Sequence, residues 1–94
     1  MGWNIRITVE NIENVCYKLY LVNGGSRIHV CTLGEYDLKN SMEEFYKYID
    51  NSFQIYKIAN GIAPDTPEYQ KKLIYAKAIE IREDYTNRVI EHSV

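Results

Sequence analysis

Between Trp3 and Thr32 apolar and polar residues take turns almost without a break, and only two polar stretches interrupt them. Trp3, Ile5, Ile7 and Val9 point one way, while Asn4, Arg6, Thr8 and Glu10 point the other. This two-residue period marks a strand buried on one face. Asn11 to Asn14 is polar enough to turn the chain. Val15, Tyr17, Leu19 and Leu21 restart the alternation, Asn23-Gly24-Gly25-Ser26 stops it, and Ile28, Val30 and Thr32 continue the apolar phase. Asn-Gly between alternating runs predicts a hairpin with a type I′ turn, which needs positive φ at both central residues. With Asn23-Gly24 as the loop, Tyr17 faces Val30, Leu19 faces Ile28 and Cys16 faces Cys31. A four-residue loop from Asn23 to Ser26 shifts the register by two and keeps the faces.

Leu33 to Asn40 reads as a connector. Ser41 to Glu44 fits a capping box, and Met42, Phe45, Tyr46, Ile49, Phe53 and Tyr56 then form one helical stripe. Asn60-Gly61 ends that helix with a left-handed C′ glycine, and Ile62 supplies the apolar contact. Thr66 as N-cap and Pro67 at the first helical position begin a second helix with no breaker before His92. Ile74, Ala78, Ile81, Tyr85 and Val89 are its core stripe. The expectation is one α+β domain over residues 1–94, a three-stranded antiparallel meander (about 3–10, 15–22 and 26–33) packed on one face against two antiparallel helices (about 42–60 and 67–92).

Composition bears on function rather than fold. Nine tyrosines stand beside two Phe and one Trp. Tyr favours boundaries, where its ring is buried and its hydroxyl stays wet or paired, and it is enriched in protein interfaces. A net charge of −2 argues against a dedicated nucleic-acid binder, whose affinity comes from neutralising phosphates. No apolar run approaches a membrane span, the N-terminus lacks a secretory signal layout, and Arg6 stands where a myristoylation site wants Ser or Thr. A cytoplasmic protein without membrane contact is expected. The frequency of Ile, Asn, Lys and Tyr suggests an AT-rich genome and an accessory protein of a virus or mobile element.

Four groups of residues invite a chemical reading. Alternation exposes Arg6, Lys18, Tyr20, Arg27 and His29 together, a face that could hold an anionic ligand or stack a base, although Glu10 and Thr8 share it. Cys16, Cys31 and His29 fall near one another but lack a fourth ligand for a structural zinc site, so no metal and no cofactor is expected. Glu80, Asp84, Asn87 and Glu91 form an acidic stripe with no partner on the other helix, the pattern of a solvated face. His29 and His92 are the only histidines, and no Gly-flanked nucleophile turn is present, so nothing indicates an enzyme.

The second helix carries apolar residues outside its core stripe. Tyr69, Leu73 and Ala76 lie on one side, and Tyr75 and Ile79 on another; Tyr48 and Ile55 flank the stripe of the first helix. A helix lying on a single sheet buries one side, so the surplus predicts contacts with another molecule. The expected function is a small non-enzymatic binding protein, a regulator, adaptor or inhibitor acting through tyrosine-rich contacts. Its partner would be another protein, and the chain itself a dimer or larger homo-oligomer. The alternative is a nucleic-acid or nucleotide-binding module using the basic outer face of the sheet.

Overall fold

The computed structural model describes residues 5–61 and 68–92, apart from the side chains of Asn23, Glu68, Tyr69 and 90–92. Trp3, the Ile62 contact and the Thr66-Pro67 helix start lie outside the described residues. Strands β1 (Ile5–Ile12), β2 (Cys16–Asn23) and β3 (Ser26–Gly34) form an antiparallel sheet in the order β1-β2-β3. Helices α1 (Glu35–Lys39), α2 (Met42–Ala59) and α3 (Glu68–His92) follow. The fold is α+β, with the helices laid on one face of the meander.

Both turns differ in detail from the sequence pattern. The first has positive φ at Glu13 and Asn14, and Val15 N–H bonds Ile12 C=O at 3.2 Å. The register then runs from Ile12↔Cys16, so Val15 is left over and exposed rather than leading the inner stripe of β2. In the second turn Asn23 pairs with Ser26, so the central residues are Gly24 and Gly25. Only Gly24 has positive φ, at +61°, which is the type II′ pattern rather than type I′. A Cβ on Gly24 would meet nothing within 4 Å, so any cost of substitution is backbone strain alone. Gly24→Val is expected to destabilise the fold by about 1–2 kcal/mol in urea titration; an unchanged midpoint would contradict this turn.

The larger departure lies in β3. Tyr20 pairs with His29 but Leu19 pairs with Cys31, so Val30 is an extra residue and the register shifts by one. The pairs expected with Asn23-Gly24 as the loop, Tyr17 with Val30 and Leu19 with Ile28, are replaced by Tyr17↔Leu33 and Leu19↔Cys31: the turn shifts the register by two, as the Asn23–Ser26 alternative expects, and the bulge adds one more. Val30 and Cys31 are consecutive and both buried, as a bulge allows and regular pleating does not. Cys31 therefore faces the core, whereas Cys16 pairs with Gly34 on the outer side. The two thiols and His29 cannot converge.

The stretch from Leu33 to Asn40 is not a plain connector. β3 runs on to Gly34, and Asp37 Oδ2 accepts the Gly34 N–H at 2.9 Å to start α1. Leu38 on this helix is buried in the core. Ser41 caps α2 by accepting the Glu44 N–H at 3.2 Å, the forward half of the expected box. At the other end Asn60 N–H reaches Tyr56 C=O at 3.1 Å, and Gly61 has φ +63°.

Phe45, Ile49, Phe53 and Tyr56 of α2 and Ile74, Ala78, Ile81 and Tyr85 of α3 meet Leu19, Leu21 and Leu33 of the sheet in one core. Met42 and Tyr46 sit at the margin of the α2 stripe, and Val89 of α3 is exposed. The helices run antiparallel. Arg82 Nη2 bonds Asn40 C=O at 2.6 Å, Tyr75 OH bonds Tyr46 C=O at 3.3 Å, and Lys71 Nζ meets Asp50 Oδ1 at 2.6 Å. Rising numbers along α2 thus match falling numbers along α3.

Candidate binding surface

Tyrosine hydroxyls tie the layers together. Tyr17 OH donates to Asn14 C=O at 3.2 Å and accepts from the Arg88 guanidinium, linking β2 to α3. Tyr85 OH donates to Glu35 Oε1 at 2.8 Å, linking α3 to α1. That bond, with Lys39 beside it, holds the Glu35 carboxyl below its ordinary range. Tyr48 OH donates to Thr32 C=O, linking α2 to β3. Much of the tyrosine content is therefore engaged within the chain, each ring packed and each hydroxyl bonded at an element boundary.

The outer sheet face brings together the residues expected there, with one acid among them. Arg6, Val22 and Arg27 form one cross-strand row; Thr8, Tyr20 and His29 the next; Glu10, Lys18 and Thr32 the third. Glu10 takes the Arg27 guanidinium and the Tyr20 hydroxyl, both at 3.5 Å. Arg27 lies 3.7 Å from the Tyr20 ring centre and so covers the ring face on which a base would stack. His29 packs edge-on to Tyr20 with centroids 5.6 Å apart, and its Nε2 is 2.7 Å from Thr32 Oγ1.

The helix candidates separate into three groups. Tyr75 and Ile79 are half-buried, and Tyr75 stacks on Tyr46 with centroids 5.7 Å apart. Leu73 and Ala76 are exposed on the far side of α3, and the Tyr69 side chain lies outside the described residues. Tyr48 and Ile55 meet at an open groove between β3 and α2.

That groove encloses about 350 Å³. His29 to Thr32 of β3 form one side, and Tyr48, Ser52, Ile55, Tyr56 and Ala59 of α2 the other. The β3 bulge shapes it, because the extra residue bends the strand beside the helix. Ile55 on its wall is 59% exposed, and Ile58, one turn further along α2, is 81% exposed. Ile58 escaped the sequence reading, although its i, i+3 spacing from Ile55, off the core stripe, marks the same shoulder. A second, more polar hollow of about 580 Å³ runs along α1 and α2 past Tyr36, Asp37 and Tyr48.

Two titratable groups of the groove, Cys31 and Tyr48, are held neutral. Burial pushes the Cys31 thiol up to about 11, with Asp37 adding to the rise and the Ser52 hydroxyl opposing it. Burial likewise pushes the Tyr48 phenol up to about 12, assisted by Cys31 and Asp37. A protonated thiol and phenol offer neither a nucleophile nor a base near neutral pH. Among the described residues, no three His, Cys, Asp or Glu side chains are grouped to hold a metal ion, and no helix is long and apolar enough to cross a membrane. Comparison of the chain with family models, curated proteins and solved structures finds no match.

Proposed function

We propose that the chain is a non-enzymatic protein-binding module, a regulator, adaptor or inhibitor that docks an apolar segment of a partner protein on the shoulder of α2. The observation that carries this reading is the pairing of Ile55 and Ile58, two large side chains left in water, with an open groove lined by Val30, Tyr56 and Ala59. A partner's Leu- or Phe-sized side chain entering the groove would also dry Ile55, and each large apolar group so buried is worth roughly 1.5–3 kcal/mol. Tyr48 and Ser52 supply a few polar atoms to orient the segment, the usual mix in a docking pocket.

Affinity capture from the native host tests the proposal. The wild-type chain is expected to retain a defined set of proteins, and to retain them at about 0.5 M salt, where phosphate-driven binding weakens steeply. Ile55→Glu and Ile58→Glu should each lose that set by placing a charge in a dry contact. Both sites are exposed, so circular dichroism should show an intact fold, and Leu73→Glu on the other helix should still capture the same proteins. Equal capture by all variants would refute the surface. Nucleic acid released by salt would point instead to Arg6, Lys18 and Arg27.

A further inference from the structure

The two edges of the sheet are protected very differently. An edge strand offers unpaired N–H and C=O groups, and proteins blunt such edges with bulges, proline, lysine or a covering element. The β3 edge carries the Val30 bulge, and Tyr48 of α2 occupies the Thr32 carbonyl. β1 has neither device. Its register with β2 is unbroken over all eight residues from Ile5 to Ile12, and no described strand pairs with its outer side. Ile5, Ile7 and Val9 on its inner face are only partly buried.

The sequence of β1 is complementary to itself. In antiparallel pairing about a two-fold axis at Thr8, Arg6 lies opposite Glu10 of the second copy, Glu10 opposite Arg6, and Ile7 opposite Val9. Sliding by one pairing step either way sets Ile7 against itself or Val9 against itself and loses both ion pairs. A second step sets Arg6 against Arg6 or Glu10 against Glu10, which is repulsive. One register alone therefore sets each Arg6 against an acid, Glu10, which also takes Arg27 of its own chain at 3.5 Å. Arg6 makes no ion pair among the described residues, so this pairing gives it a carboxylate partner.

We infer that β1 is a homodimerisation edge, at which a second copy of this chain adds antiparallel about Thr8 to give a continuous six-stranded sheet. The two-fold keeps both helix layers on one side of the joint sheet, and isologous contact uses the same strand twice. The surface lies across the sheet from the α2 groove, so it stands or falls independently of the partner-docking proposal.

Charge reversal tests the register. The full wild-type chain is expected to sediment at twice the 11.1 kDa of one chain at micromolar concentration. Arg6→Glu sets Glu against Glu10, and Glu10→Arg sets Arg6 against Arg. Each should weaken dimerisation by about tenfold or more. Mixing the two variants restores opposite charges at both contacts, so a mixed dimer is expected, and the double variant Arg6→Glu with Glu10→Arg should dimerise by itself. Both positions are exposed, so the melting temperature of each monomer reports that folding is intact. A wild-type monomer throughout the range, single variants that dimerise like wild type, or variants that do not recover on mixing would each overturn the inference. Loss of the dimer on Leu73→Glu with no effect of charge reversal would place the contact on α3 instead.

Discussion

Phe45→Ala is expected to cost the fold about 3–5 kcal/mol and to lower the melting temperature by more than about 12 °C. Phe45 is 1% exposed, in the first turns of α2, and belongs to the core with Leu33, Leu38, Ile49 and Ile74. The Arg82 guanidinium lies 4.8 Å from its ring centre, and the same side chain bonds Asn40 C=O, so the ring also supports the link from α3 to the start of α2. Truncation leaves a cavity where three helices and β3 meet, and little nearby can collapse into it. Ile58→Ala, on the same helix, should change stability by less than about 0.5 kcal/mol, because that side chain makes its contacts with water. The contrast is a direct check on the rotation of α2. A large loss at Ile58 would mean that its exposed face is already covered in the isolated protein.

The two cysteines should differ in reactivity by at least about a hundredfold. Cys16 lies on the outer side of the sheet opposite Gly34, half-buried, whereas Cys31 is 2% exposed and held in the core by the shifted register. With its thiol near 11, only about one Cys31 in a thousand is thiolate at pH 8, and reagent must also wait for the core to open. A thiol-specific dye should therefore label one group per folded chain quickly and a second only on adding denaturant; Cys16→Ser should remove the fast phase. Two fast phases would mean that β3 keeps its alternation and Cys31 faces out. The same burial makes stability fall as pH rises past about 9 towards 11. The unfolded chain loses the Cys31 proton first, so alkali favours unfolding.

The bulge explains where the sequence ceased to be legible. As far as His29 the apolar and polar residues differ enough for parity alone to assign the faces. Val30-Cys31-Thr32-Leu33 contains no charge, so either parity leaves tolerable residues on both sides, and the pattern cannot reveal the extra residue. Five residues are likewise too few for helical periodicity to announce α1; its signals are Asp37 three places after Gly34 and an apolar Leu38. α2 and α3 were legible because their stripes recur over many turns. Among the candidate surfaces, composition showed a surplus of tyrosine but not where the hydroxyls go. Tyr75 meets the Tyr46 carbonyl and Tyr48 the Thr32 carbonyl, pairings that depend on distant chain segments. Ile55 was legible as an apolar residue off the core stripe, but Ile58 was missed, and the groove beside them depends on the bulge.

Hydrogen exchange on the complex captured from the host addresses the α2 surface most directly. Amides of 28–32 in β3 and 52–60 in α2 should gain protection when the partner is bound, while those of 76–84 in α3 stay as in the free chain. Unchanged exchange along β3 and α2, with new protection confined to α3 or to the outer-face strands β1 and β2, would contradict the docking surface proposed for this protein.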